Sequence, residues 1–158
     1  MNVAASNKRT TQHETLQLAT FYVGDLCLAL EIGQIQEIIR DVQERQVPFA
    51  PPEVSGVINL RGDVTTIINL RRVIGLPDAT ASHGRRTLIV RSQGESIGLV
   101  VDRVADITTI MAESIMPSPP NVADVDGRFF RGVCPRDSEI IVVLDLEAAL
   151  SNLTVVAE

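Results

Sequence analysis

The chain has 158 residues, of which 45% are hydrophobic but only 3% aromatic, and it contains no tryptophan. A chain of this length buries about 70% of its unfolded surface, so it can form a sizeable core without disulfides or metals. That core must be aliphatic. The formal net charge of −6 argues against a nucleic-acid partner, because binding a polyanion requires clustered Lys and Arg that displace its counterions.

The first 14 residues are polar, mixed in charge and without hydrophobic periodicity, which predicts a flexible tail over 1–14. They lack the apolar region of a signal peptide, and no apolar run approaches the length of a membrane span. We therefore expect a cytoplasmic protein without direct membrane insertion. Cys27 and Cys134 lie inside apolar segments, which favours buried reduced thiols over a disulfide or a nucleophile.

Alternating apolar residues from Thr15 onward predict a first β-hairpin that turns at Gly24-Asp25. The next segment, Glu31 to Arg40, fits a helical stripe, but Gly33 and its β-branched residues also permit a twisted strand or a bend, and the sequence leaves these alternatives open. Three prolines in the stretch 41–55 predict an ordered connection.

The stretch from Gly56 to Pro77 carries the clearest local signal. Two β-branched runs flank Arg61-Gly62-Asp63, which is the pattern of a tight hairpin. The period then becomes helical, with Asn69 placed as an N-cap and Gly75 placed to end the helix. This stretch therefore predicts a strand, a turn, a second strand and a short helix.

The same pattern recurs between Gly132 and Leu150. Aligned without gaps, Gly56 matches Gly132 and Asn69 matches Asp145, and a weaker match precedes each copy. We interpret this as two similar β-rich halves. The alternative is chance, because amphipathic β segments generally share Val, Ile and Gly.

Short strands at regular spacing, separated by glycine-containing turns, predict small closed or nearly closed β-barrels. We expect one domain over 15–150, made of two β-barrel halves at about 15–84 and 85–150. This arrangement allows strands to exchange between the halves. A C-terminal tail is predicted over 151–158.

The chemistry of an enzyme is not apparent in the sequence. His13 lies in the tail and His83 in a loop, and no nucleophile elbow, phosphate loop or Cys-x-x-Cys pair occurs. The run Asp124 to Gly127 resembles a calcium loop, but its first and twelfth positions would be Val122 and Val133, which cannot ligate calcium. We expect no catalytic activity, no metal and no cofactor.

Glu37 and Arg61 stand out as charged residues inside otherwise apolar stretches. Such a charge either lies on a solvated face or forms half of a semi-buried ion pair. The pattern by itself favours the solvated face.

Several motifs, in the right order, resemble the CheW domain, the coupling protein of bacterial chemosensory arrays. The resemblance extends from about Leu16 to Leu150. It departs at Thr66 and Asn69, where the family usually has Pro and Asp. The matching motifs are Gly56-Val57-Ile58-Asn59-Leu60-Arg61-Gly62, Ile67-Ile68-Asn69-Leu70-Arg71, Ile74-Gly75-Leu76, Ile35-Gln36-Glu37-Ile38, the run from Ile97 to Val104, and Ile140 to Leu146.

This resemblance implies a mainly β fold, with two SH3-like five-stranded barrels packed on a shared aliphatic core and short helical turns. It implies a non-catalytic adaptor that joins the cytoplasmic tip of methyl-accepting receptors to the regulatory domain of a CheA-type histidine kinase. Other CheW-like domains would be further partners. The protein would be recruited to membrane-associated receptor arrays.

The resemblance also implies residue roles. Glu37 and Arg61 match the family's paired acid and base near the receptor-facing surface, which shifts the expectation toward a semi-buried pair. Four apolar residues would line a receptor-binding groove, although core positions are an equally good interpretation of them: Ile35, Ile38, Val100 and Val104. For the kinase we select Val47 and Phe49, apolar residues that a lone domain has little reason to place in a Pro-rich connection.

The sequence is compatible with one alternative function and disfavours two others. A CheW-like adaptor of a non-flagellar pathway, such as pilus motility, would have the same residues. A regulatory fragment of a larger kinase is disfavoured, because there is no phosphotransfer histidine and no receiver acidic cluster. A nucleic-acid-binding β-barrel is disfavoured by the acidic balance and the few stacking aromatics.

Overall fold

The structure is a computed structural model that describes residues 14–40, 42–78, 84–151 and 153. The predicted N-terminal tail, both histidines and most of the predicted C-terminal tail lie outside the described residues. The strands are β1 (Thr15–Val23), β2 (Leu26–Glu31), β3 (Ile35–Arg40), β4 (Val54–Leu60), β5 (Asp63–Asn69), β6 (Arg86–Ser92), β7 (Glu95–Val101), β8 (Arg103–Met111), β9 (Asn121–Val122), β10 (Val125–Asp126), β11 (Phe130–Arg136) and β12 (Glu139–Leu144). The helices are α1 (Leu70–Ile74) and α2 (Leu146–Leu150), with 3-10 turns at Ile32–Gln34, Ala112–Ser114 and Gly127–Phe129.

Ten of these strands form two five-stranded sheets. Sheet A has the order β11-β12-β2-β1-β8 and sheet B the order β3-β6-β7-β5-β4. Neighbouring strands are antiparallel except for β12 with β2 and β5 with β7, which are parallel. The mainly β fold of two SH3-like subdomains is therefore confirmed.

The two sheets are built from equivalent strands in an equivalent order. Sheet A joins β1 and β2 to β8, β11 and β12, whereas sheet B joins β6 and β7 to β3, β4 and β5. Each sheet thus takes strands from both halves of the sequence, and the parallel pair lies at the same place in each.

A single bridge brings the edges of each sheet toward closure. In sheet B, Arg45 and Val57 exchange two backbone hydrogen bonds of 2.8 Å. In sheet A, Met116 and Val133 exchange bonds of 2.8 and 2.9 Å. In both sheets the chain leaving one outer strand returns to the free edge of the other outer strand.

The helix caps follow the sequence prediction. The Asn69 side chain accepts a hydrogen bond of 3.1 Å from the Arg71 amide, and Gly75 ends α1 at a φ of 87°. The equivalent Asp145 accepts a bond of 3.0 Å from the Ala148 amide at the start of α2. The predicted caps of α1 are confirmed, because a polar N-cap and a left-handed C-terminal glycine are local signals.

The segment that the sequence left open forms a 3-10 turn followed by β3. The Glu31 amide donates to the Gln34 side chain at 3.2 Å, in a reciprocal capping box that holds the turn. Beyond it, Ile38 lies opposite Leu88 of β6. The neighbouring strand therefore decides the conformation of this ambiguous apolar run.

The main core lies between the two sheets and includes residues of both helices. Its largest fully buried members are aliphatic, with Phe21 as the aromatic exception. A smaller cluster covers the other face of sheet A and contains Cys27 and Cys134. Both cysteines are buried, and neither forms a disulfide. The aliphatic core and the reduced thiols are thus confirmed. No helix among the described residues is long and apolar enough to cross a membrane.

Candidate functional site

An ion pair joins the outer strand β3 of sheet B to the turn between β4 and β5. Glu37 lies in β3, and Arg61 lies in the turn between β4 and β5, at the opposite edge of the sheet. The Arg61 Nη2 donates a hydrogen bond to Glu37 Oε1. The structure thus brings these two predicted residues together, but the Arg61 side chain is 67% exposed and that of Glu37 is 33% exposed. The guanidinium remains open to a partner.

An apolar groove lies next to this pair, between the outer strands. Its volume is about 570 Å³, and Val64 in its lining is 57% exposed. The groove is lined by Ile39, Val42, Gln43, Arg45, Val57, Ile58, Asn59, Leu60 and Val64. A partner segment with apolar side chains and a polar flank could contact the groove and the ion pair at once.

The four residues predicted to line a receptor groove are not among those that line this groove. Ile35 and Val104 pack against the main core, and Val100 is half-buried in β7. Ile38 is 46% exposed on β3, but its neighbour Ile39 lines the groove, because successive residues of a strand point to opposite faces. Receptor contact by these four residues stays a prediction.

The two predicted kinase contacts lie in a turn of the Pro-rich connection. The Ala50 amide donates to the Val47 carbonyl at 3.3 Å, with Pro48 and Phe49 as the central residues. Phe49 has a φ of 63° and a fully exposed side chain. A turn with Pro in the second position and positive φ in the third normally has Gly or Asn there, so a phenylalanine is unusual.

Sheet A has an equivalent but more internally bonded ion pair. The Arg136 Nη2 of β11 lies 3.4 Å from the Asp106 Oδ2 of β8, so this pair joins the two outer strands directly. The Thr20 hydroxyl donates to the Asp106 carboxylate at 2.7 Å and is the main cause that lowers the pKa of this carboxyl. Among the described residues, Arg61 alone bonds the Glu37 carboxylate. The sheet B pair is therefore the less satisfied of the two.

The described residues offer little for catalysis. They contain no group of three or more His, Cys, Asp or Glu side chains that could hold a metal ion. Burial raises the pKa of the Cys27 thiol, which keeps it protonated and weakly nucleophilic.

The comparisons with known proteins agree with these features. A profile described as a CheW-like domain matches residues 17–154. A probable chemotaxis protein CheW of Rhizobium etli is 33% identical, covering 86% of this chain and 88% of its own length, and chemotaxis protein CheW of Treponema pallidum is 28% identical over 88% and 84%. The crystal structure of scaffolding protein TtCheW from Thermoanaerobacter tengcongensis has a TM-score of 0.77 and 30% identity, covering 82% of this chain and 88% of that one.

Proposed function

The chain belongs to the CheW-like domain family, and on this premise we propose that it is a non-catalytic adaptor coupling methyl-accepting chemoreceptors to a CheA-type histidine kinase. The observation that carries the proposal is the exposed Glu37–Arg61 pair beside the apolar groove of sheet B. An adaptor of this kind acts in the cytoplasm and is recruited to membrane-associated receptor arrays.

The receptor surface is proposed to be centred on the ion pair. A receptor tip is a helical hairpin, and an amphipathic helix binds by placing its apolar side chains in a groove with charged groups at the rim. The exposed guanidinium of Arg61 supports this surface, whereas Ile38 is exposed on the opposite face of β3 and stays a prediction. The proposed receptor-binding residues are Ile35, Glu37, Ile38, Arg61, Val100 and Val104.

The kinase surface is proposed to include Val47 and Phe49. The left-handed conformation of Phe49 costs on the order of 1 kcal/mol for a residue with a Cβ, and its fully exposed ring gains no packing in return. An exposed aromatic ring of this kind supports a role as an anchor in an apolar pocket of the kinase regulatory domain.

The test is capture of a receptor hairpin fragment and of a kinase regulatory domain by the purified protein. We expect the wild type to capture both. Arg61→Glu should weaken receptor capture about tenfold or more, because it places two carboxylates together at the rim. Kinase capture should stay unchanged. Phe49→Ala should weaken kinase capture and leave receptor capture unchanged.

The matched control is Arg128→Glu, since Arg128 is 63% exposed and also pairs with a neighbouring carboxylate, that of Asp126. It should leave both captures unchanged. The exchange Glu37→Arg with Arg61→Glu should recover part of the receptor binding, because the pair is restored with its charges reversed. If wild-type protein captures neither partner at micromolar concentration, the adaptor proposal is wrong. If Arg61→Glu unfolds the protein, Arg61 is structural and its receptor role is withdrawn.

A further inference from the structure

The turn that holds Arg61 contains a side-chain hydrogen bond that the proposed function does not use. The Asn59 Oδ1 accepts a hydrogen bond of 2.9 Å from the Gly62 amide. We propose that Asn59 is a positioning residue, which holds Arg61 in the orientation that receptor binding needs. This inference rests on the proposed receptor surface and names a residue that determines its geometry.

The backbone of this turn is specific. Leu60, the last residue of β4, pairs with Asp63, the first residue of β5, so Arg61 and Gly62 form a two-residue loop. Their φ angles are 52° and 90°, as in the primed turns that suit the twist of a hairpin. Gly tolerates this conformation, whereas Arg adopts it against its preference.

Asn59 acts on the peptide group between Arg61 and Gly62. The amide that it binds belongs to this peptide, so the bond restricts rotation of the peptide plane and with it the ψ angle of Arg61. The direction of the Arg61 Cα–Cβ bond toward Glu37 is fixed in consequence. A mostly exposed arginine has few packing contacts that could fix its direction otherwise.

The equivalent turn of sheet A provides an internal comparison. Pro135 occupies the position equivalent to Asn59, and Asp137, equivalent to Arg61, has the same φ of 52°. The next residue differs, because Gly62 has a positive φ and its equivalent Ser138 does not, so the turn without an asparagine adopts a different conformation at its second residue. In sheet A the ion-pairing residue is Arg136, which lies within β11 opposite Glu139, so strand pairing holds it. Arg61 lies in the loop, where no strand pairing holds it. The hydrogen bond from the Gly62 amide to the Asn59 side chain takes over this role.

Binding of the receptor hairpin fragment to Asn59→Ala and Asn59→Asp tests this role. Asn59→Ala should weaken binding about three- to tenfold, with kinase-domain binding and folding unchanged. Asn59→Asp should bind like the wild type, because a carboxylate accepts the same amide hydrogen bond. The control is Asn121→Ala, an exposed asparagine of β9, which should have no effect.

Two further measurements separate positioning from a direct contact. In an Arg61→Ala background, Asn59→Ala should have no additional effect on binding, because the residue acts through Arg61. NMR of the free protein should show increased motion of the Arg61 guanidinium and faster exchange of the Gly62 amide in Asn59→Ala, but not in Asn59→Asp.

The outcomes are distinct. Full binding by Asn59→Ala, or an equal loss in the Arg61→Ala background, overturns the positioning role. If no variant, including the wild type, binds the receptor fragment, the proposed function fails, and the NMR comparison alone decides whether Asn59 holds Arg61. Unchanged Arg61 and Gly62 signals in Asn59→Ala would then overturn the inference.

Discussion

Tyr22, the single tyrosine of the chain, is held between charged groups on sheet A. Its hydroxyl donates to the Glu139 carboxylate at 2.9 Å, and the Arg103 guanidinium lies 3.9 Å from the ring centroid. The hydrogen bond to Glu139 and burial together raise the pKa of Tyr22 to about 12. The neutral phenol is therefore the form that the fold stabilises.

This arrangement predicts how stability depends on pH. The folded pKa of Tyr22 is raised, so the unfolded chain loses its phenolic proton first as the pH increases. The stabilisation is complete below about pH 10, the ordinary tyrosine pKa, and is lost as the pH rises toward 12. Absorbance titration of the phenolate reports this group directly, since there is no tryptophan and no second tyrosine. Tyr22→Phe should lose less stability over the same interval, and a phenolate titrating near pH 10 in the folded protein would contradict the prediction.

Residue roles could be predicted from the sequence only in part. The acid–base pair was suggested by a resemblance, because a charge in an apolar stretch does not identify its partner. The residues that line the groove of sheet B, such as Ile39, could not be identified from the sequence, since the side of a strand that faces a groove depends on how the sheet curls. Asn59 was missed as a positioning residue. The signal for it was present, as an asparagine three residues before a turn glycine can bind that glycine's amide.

At the scale of elements, Gly56 and Gly132 occupy equivalent places in sheets B and A. Each precedes the residue that forms the isolated bridge, so another backbone segment crosses close beside it. A Cβ on Gly132 would lie 2.5 Å from both the Met116 carbonyl oxygen and the Ile115 Cγ2. Glycine is thus required here by the close approach of the returning chain.

Gly132→Ala should destabilise the fold by about 1–3 kcal/mol, because the clash is with backbone that must move away from β11. Gly33→Ala is the control, since a Cβ there meets no atom within 4 Å. It should change stability by no more than about 0.5–1 kcal/mol. Urea unfolding of the two variants measures both effects. An equal, small effect at both positions would show that the returning chain is not held against Gly132.

Elements with local signals were predictable, and their association was not. The hairpins, the caps of α1 and the repeat follow from turn residues and hydrophobic periodicity. Strand exchange between the halves depends on parallel pairs such as Leu28 with Val142, more than one hundred residues apart. Such pairs have no local sequence pattern, because any apolar strand of suitable length could occupy the same position in the sheet.

At the scale of the molecule, Asp102 links the two sheets. It lies between β7 of sheet B and β8 of sheet A, and its amide donates to the Tyr22 carbonyl at 2.9 Å. Its carboxylate accepts bonds of 2.7 Å from Arg71 Nη2 and 2.6 Å from the Gly24 amide. Arg71 follows β5 of sheet B, whereas Gly24 turns the first hairpin of sheet A. One half-buried carboxylate thus connects segments from both sheets.

Asp102→Asn tests whether this link holds the sheets together. Burial alone would raise the pKa of Asp102, but the bonds from Arg71 and Gly24 oppose it and leave the pKa lowered. Loss of the charged acceptor should destabilise the protein by about 1–3 kcal/mol at neutral pH. Asp78→Asn, at an exposed carboxylate paired with Arg72, should have a much smaller effect, because solvent screens that pair.

The pH dependence distinguishes a charged link from simple packing at Asp102. A lowered folded pKa means that the stabilisation is present above the ordinary aspartate pKa of about 4 and is lost as the pH falls through the folded value. The stability difference between wild type and Asp102→Asn should therefore be largest at neutral pH and shrink below about pH 4. A difference that stays constant from neutral to acidic pH would show that the side chain acts by its shape and not by its charge. The two sheets would then depend for their relative orientation on the shared apolar core and on uncharged-donor hydrogen bonds such as those from Ser92 Oγ to Glu147 and from the Asp102 amide to the Tyr22 carbonyl.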